Sequence, residues 1–398
     1  MGIAKQSEYK IVIIGAGPVG LTTALLLARR GLPCLLVDRR TENLPWSKAI
    51  GITPPSLKVL TKVGLADELV SAGVRITEAY VHDDRGTAGC VRFDNLACDH
   101  NFILALPQSE TLVILGAAGK SEPLIERLAG VEMCGMVQDS SCARLRLKST
   151  DGGRAQDIAA EWVLGCDGAD SGIRDMAGVR SRRKTYRQHF VMADFEDATD
   201  WGPQAHLFFT RHGSLESFPL PLGRRRWVAL VEGRMETEEA QARLQHQIAR
   251  IGGCDKPGNQ ASAIFQFRPE RIDLDRLHSG RTALAGDAAH VMSPIGGQGM
   301  NTGIADAELL SAVVARILEG EYPQNLLASY SYARQRAARA ATRRAAVGMW
   351  VGTRTGRLQS RLRSALLRRV LLRPPTLDRL SPHFAMLNLP SNQLREIS

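Results

Sequence analysis

The chain has 398 residues, 44% hydrophobic and 23% charged, with a net charge of +10. It is long enough for two or three packed layers or two closely joined domains, and no run of eighteen apolar residues offers a membrane span. The charge sits in one place: residues 331 to 380 carry thirteen arginines and one acid, a local +12, leaving 38 bases against 40 acids elsewhere. That argues against a nucleic-acid binder with a basic body.

The N-terminus is polar as far as Lys10 and runs into a strand, which argues against a secretory signal. Seven cysteines without a Cys-x-x-Cys pair suit small core residues of a reduced, cytoplasmic protein, and none has metal-ligand spacing. Tyr9 to Ile14 reads as a buried strand. Gly15-x-Gly17-x-x-Gly20 follows it and opens an apolar helix, and a second strand ends at Asp38, eighteen residues after the last glycine. A lone glycine motif is weak, but strand, turn, helix and distant acid together form the dinucleotide-binding context. Gly15 permits the tight turn, Gly17 lets backbone approach a pyrophosphate, Gly20 lets helix and strand pack, and Asp38 accepts from a ribose hydroxyl. The doublet Arg39-Arg40 fits either a phosphate contact or two solvated bases.

Residues 75 to 106 hold β-rich runs that read as antiparallel strands. After Gln108, Leu112 to Leu115 fits strand or helix, Gly116 to Ser121 breaks the pattern, and Glu122 to Leu128 resumes helical spacing. Trp162 to Asp167-Gly168 is a further strand and glycine turn, with Ser171 and Arg174 one helical turn apart and suited to phosphate or ribose. Residues 185 to 232 are strand-rich, and Glu236 to Ile251 is an amphipathic helix.

Thr282 to Ala285 is a short strand ending at Gly286-Asp287, followed by Ala-Ala-His290, Pro294, the glycines 296, 297 and 299, then Met300 and Asn301 at a helix start. An acid after a strand, then amides bunched before a helix, suits a ligand with a hydroxylated chain and an electron-rich ring. Beyond it the chain is helical, and Leu358, Leu362, Leu366 and Val370 form one stripe with arginines elsewhere.

In order and spacing, the three motifs resemble the single-component FAD-dependent aromatic hydroxylases, the para-hydroxybenzoate hydroxylase-like monooxygenases, over about residues 9 to 345. The resemblance implies an α/β fold. A Rossmann-like FAD-binding domain (1–76, 100–180 and 280–330) would receive an inserted antiparallel-sheet substrate domain (77–99 and 181–279), with C-terminal helices over 331–398. It places Gly15, Gly17 and Gly20 at the FAD pyrophosphate, Asp38 with Arg39 at the adenosine end, and Lys48 where the family has an arginine. Gln108 falls near the adenosine side, and Asp167 in a motif linked to both FAD and NADPH. Gly286 and Asp287 fall at the ribityl chain, Pro294 beside the flavin ring, and Gly297 to Asn301, through Gly299 and Met300, at its pyrimidine edge. Reduced FAD, with NADPH or NADH as co-substrate, would form a C4a-hydroperoxide that passes oxygen to an aromatic small molecule.

His290 is the acid–base candidate, although a histidine in this motif is more often structural. His189, His206 and His212 are further candidates to deprotonate a phenol. Phe208, Phe218, Pro219 and Leu220 are pocket walls or, equally, core. Epoxidation, Baeyer–Villiger insertion and double-bond reduction remain alternatives, as does a non-catalytic docking protein. Halogenation is disfavoured by the absence of a Trp-x-Trp pair. The stripe within 354–373 either contacts an acidic protein or membrane surface, or packs on the body with its arginines solvated.

Overall fold

The computed structural model describes residues 4–42, 49–254, 257–260, 262–294 and 296–390. Two sheets dominate it. The first has a parallel core, with Thr282–Leu284, Ala155–Gly165, Glu8–Ile14, Cys34–Asp38 and Ile125–Ala129 as successive neighbours. Strands covered on both faces read as near-continuous apolar runs, and Ile11 to Ile14 and Leu35 to Val37 are buried accordingly. An antiparallel hairpin, Val131–Gln138 with Ala143–Ser149, continues from the long Ala155–Gly165 strand.

Helix Pro18–Ala28 packs on this sheet between helices Gln108–Ser121 and Gln298–Leu318. Helix Gln108–Ser121 corrects the expected break after Leu115. Gly116 and Gly119 do not interrupt the helix but let it sit close: a Cβ on Gly119 would lie 3.3 Å from Leu21. The helical spacing read over Glu122 to Leu128 is also corrected. Ile125–Ala129 is a strand, since residues this short adopt the state that pairing with Cys34–Asp38 offers.

The second sheet runs Phe265–Phe267, His189–Glu196, Arg224–Val231, Gly213–Leu220, Ala205–Thr210, Glu78–Asp83, Gly86–Arg92. Only the pairing of Ala205–Thr210 with Glu78–Asp83 is parallel. One face carries a core of Phe195, Phe208, Leu215 and Trp227 under helix Thr237–Gln247. The opposite face lines a large cavity. A two-stranded ribbon, Ser181–Thr185 with Glu270–Leu274, was not foreseen and joins the two regions in both chain directions.

The tail reverses expectation. In helix Arg357–Leu366 and the turn after it, Leu358 and Leu362 are 70% and 65% exposed, and Leu366 and Val370 also face solvent. Two of the arginines turn inward instead, while Arg357, Arg361 and Arg369 stay exposed beside the stripe. Arg363 donates to the carbonyls of Thr210 and Arg354, and Arg368 forms a two-bond pair with buried Asp83 at 2.7 Å. Spacing shows that a stripe exists but not which way it faces.

Candidate functional site

A cavity of about 1520 Å³ lies between the two sheets. It exceeds the roughly 300–1000 Å³ of a single small-ligand pocket, so it has room for a long cofactor and a second molecule.

One end is built by the glycine turn. Gly15 has φ +105°, and a Cβ there would lie 2.3 Å from the Cys166 carbonyl oxygen. Gly20 is equally constrained, since its Cβ would fall 1.8 Å from the Gly15 oxygen. Gly20 does not line the cavity and acts by letting helix and strand meet. Gly17 differs: it lines the cavity, and its Cβ would meet nothing within 4 Å. Gly168 and Gly297 line the cavity with the same open space. Three backbone stretches thus present bare amide surface to one void, which fits a ligand lying flat against them.

Asp38 accepts from the Ala16 amide at 2.6 Å and from Arg40 through backbone (2.8 Å) and side chain (3.2 Å). Burial pushes its pKa up, but the bonds from Arg40 and Ala16 outweigh this and hold it below the usual carboxylate range. Arg40 is therefore the partner of Asp38, while Arg39 and Arg40 both border the cavity. Gln108 lines it from the start of its helix.

Asp167 also lines the cavity and accepts from Ser171 Oγ at 2.5 Å and the Ile173 amide at 3.2 Å. Burial dominates there and raises its pKa. Ser171 and Arg174 do not face the cavity. Ser171 caps helix Gly172–Met176, and Arg174 is buried, donating to the Ala169 carbonyl at 3.0 Å.

At the third motif, Asp287, Pro294, Gly297, Gly299 and Met300 line the cavity. Gly286 does not; its φ of +63° makes the turn that presents Asp287. Asn301 is buried as a brace. It accepts from the Thr53 amide at 2.9 Å and donates to the carbonyls of Gly51 (2.9 Å) and Gly297 (2.8 Å). His290 is likewise corrected from a reaction-centre candidate to a support: it is buried, outside the cavity lining, with Nε2 2.7 Å from Asp306. Lys48 lies outside the described residues.

On the second sheet, Phe218 lines the cavity, but His206, Phe208 and Pro219 do not. Alternation along a strand decides this: Leu207 and Phe209 face the cavity, so His206 and Phe208 face the core under helix Thr237–Gln247. His206 stacks on Trp201 with centroids 3.9 Å apart, and its Nδ1 lies 2.9 Å from His82 Nε2. Leu220 is buried outside the lining, His189 lines the cavity, and His212 sits elsewhere against Arg211 and Arg250. Sequence reasoning missed Glu216 and Arg226, both cavity-lining. Arg226 forms a buried two-bond pair with Asp194, at 2.6 and 2.9 Å. Glu216 lies two residues before Phe218, and that period was the signal available.

A nucleotide-length void edged by a glycine turn, an acid at the second strand end and a helix start defines a dinucleotide-binding protein of the doubly wound class. The match of the FAD binding domain family to residues 8–345 makes it specific: the chain belongs to that family. It is 32% identical over 340 residues to a 6-methylpretetramide 4-monooxygenase from Streptomyces rimosus, covering 81% of this chain and 58% of that one. It is 27% identical over 339 residues to a pentachlorophenol 4-monooxygenase from Sphingobium chlorophenolicum, covering 82% and 62%. The chain thus spans about three fifths of the length of these curated relatives. Its fold is shared with a p-nitrophenol 4-monooxygenase from Pseudomonas putida, at TM-score 0.88 and 21% identity over 97% of this chain and 100% of that one.

Burial, with His82 and Arg225 nearby, pushes the His206 pKa from 6.5 down to about 3. Its unfolded ring takes up a proton at higher pH than the folded ring, so acid favours the unfolded chain. Stability should be intact above pH 6.5 and fall as pH drops from 6.5 toward about 3. In His206→Asn, the decline in melting temperature over that window should be shallower, as scanning fluorimetry at several pH values would show.

Proposed function

We propose that this protein is an FAD-dependent monooxygenase that uses NAD(P)H and O2 to hydroxylate an aromatic, phenolic or polyketide-like small molecule. The observation that carries it is the single cavity lined at once by the dinucleotide turn, Asp287, the Gln298–Leu318 helix start and an apolar sheet face. The substrates in the relatives' names, a pretetramide and a chlorinated phenol, support the substrate class.

Bound FAD would supply two-electron chemistry with NAD(P)H and activation of O2. The chain's own residues hold and shield it. Gly15 and Gly17 bring backbone against a pyrophosphate, and Asp38 with Arg39 borders the adenosine end. Gln108 and Asp167 flank the same run, and Asp287 accepts from ribityl hydroxyls. Amides from Gly297 to Met300 and the dipole of a 21-residue helix favour negative charge on the ring. Pro294 closes the ring edge, and Leu207, Phe209 and Phe218 exclude water from the reacting face.

The purified protein should take up FAD and oxidise NADPH or NADH slowly, with a correct substrate accelerating turnover and gaining one oxygen atom from labelled O2. Failure to take up FAD would sink the reading, and a lactone, an epoxide or a reduced product would redirect it to the alternatives. Two glycine variants separate cofactor contact from packing. Gly17→Val should fold normally yet weaken FAD binding about 10- to 100-fold, the scale of one overpacked contact. Gly20→Ala should instead destabilise the protein by about 3 kcal/mol in urea unfolding.

The outward stripe supports a second role, interfacial contact with an anionic lipid surface. No helix of the described residues is long and apolar enough to cross a membrane, but Leu358, Leu362 and Val370 stand exposed in the segment of highest positive charge. Apolar side chains among arginines suit the headgroup boundary. Cosedimentation should show binding to vesicles containing phosphatidylserine but not to phosphatidylcholine alone, with about tenfold loss in Leu358→Glu/Leu362→Glu. Self-association abolished by the same substitutions, without vesicle binding, would assign the stripe to a second copy instead.

A further inference from the structure

The cavity-facing row across the middle of the second sheet runs Val81, Leu207, Glu216, Val228, Met192, by strand register. Four are apolar, and the centre is a carboxyl group. Glu216 makes no hydrogen bond or ion pair with any described residue. Its one charged diagonal neighbour on this face, Arg226, is already held by Asp194 through both Nε and Nη2.

Such a placement is costly. Burying a charge without a partner is among the most unfavourable substitutions a core can carry, and burial alone pushes the Glu216 pKa up to about 7. Part of its surface stays accessible only because it opens onto the cavity. Neighbours in its row are the sizes a sheet face uses to pack, so a leucine would serve the fold better. The partner that Glu216 lacks among the described residues is supplied by what enters the void.

We infer that Glu216 is the recognition residue of the substrate site, accepting a hydrogen bond from the hydroxyl or amino group of a neutral aromatic ring and rejecting aromatic carboxylates. The assignment rests on the monooxygenase reading and narrows its substrate class. Above pH 7, where this carboxyl is ionised, an acceptor in an apolar wall gains about one charge-assisted hydrogen bond from a phenol or arylamine, whereas an anionic ring meets repulsion and loses its own hydration. Strong discrimination of this kind comes from a buried polar group that the wrong ligand leaves unpaired.

The test uses the FAD-loaded protein with 2-naphthol and 2-naphthoate as probes, followed by calorimetry, alongside Glu216→Gln and Glu216→Leu. Naphthol should bind the parent at least about tenfold tighter than naphthoate. Glu216→Gln should gain naphthoate binding and shrink that ratio to about threefold or less. Glu216→Leu should lose naphthol about tenfold and raise the melting temperature of the ligand-free protein, since a strained carboxyl is removed. Equal binding of the two probes to the parent, no binding of either, or a ratio unmoved by both variants would overturn the inference. So would a fall in melting temperature for Glu216→Leu, which marks a structural acid. FAD affinity, measured separately by flavin fluorescence, should match the parent in both variants. Failure of the parent itself to bind FAD would instead strike the monooxygenase reading.

Discussion

Everything at the cavity wall built by Gly286 to Asn301 hangs on one fully buried carboxylate. Asp306, in the third turn of helix Gln298–Leu318, accepts from the Gly286 amide at 2.8 Å, faces His290 Nε2 at 2.7 Å and accepts from Arg334 Nε at 2.5 Å. Burial alone would raise its pKa; His290 and Arg334 reverse this and hold it below the ordinary value. Removing one member of such a buried set typically costs about 3–5 kcal/mol. The set therefore fixes three separate pieces of chain to one another: the turn that presents Asp287, the helix start that presents its amides, and the helix Pro323–Gly352 behind them. Arg334 adds a bond to the Thr302 carbonyl at 3.0 Å, and Tyr330 donates to the Leu284 carbonyl at 2.8 Å. Cavity-lining groups here are positioned by a shell that itself does not line the cavity, the usual division of labour in a preorganised site.

The second sheet solves a different problem. Its two faces are both buried but differ in character, and strand alternation sorts residues between them. Toward helix Thr237–Gln247 it carries a polar-aromatic set: Arg225, fully buried, bonds to Asp197, Gln204, Gly202 and Ser217 while lying over Trp201. The Arg225 guanidinium is satisfied internally there. Toward the cavity the central row of the face is apolar except for Glu216, with Arg226 beside it paired to Asp194 and the polar His189 and Gln266 on the outer strands. An apolar row with one carboxyl at its centre suits a selective small-molecule site: shape and desolvation from the many, orientation from the one.

Motifs whose chemistry is local were legible from sequence. Gly15, Gly17 and Gly20 sit in contiguous strand, turn and helix, and so do Gly286 and Asp287, so short-range spacing carries their geometry. What sequence could not carry was orientation and long-range pairing. His206 and Phe218 were chosen for side-chain type, but they project to opposite faces, and a choice of face depends on which neighbour each strand meets. Asp306 and Arg334 are 28 residues apart with no pattern linking them, so the sequence could favour a supporting role for His290 but not name its partner. The glycines at 116 and 119 look like breakers until a second helix lies against them. The tail shows the same limit, since an amphipathic stripe has a period in the sequence but no direction.

We propose that three remote backbone stretches and one helix start act as a single FAD site. Hydrogen–deuterium exchange of the purified protein with and without FAD tests it most directly. Added FAD should slow exchange together in residues 14–20, 37–40, 166–172 and 296–302, with helix Thr237–Gln247 unchanged. Protection confined to the first glycine turn, or an equal slowing everywhere, would contradict a cofactor lying along the whole cavity.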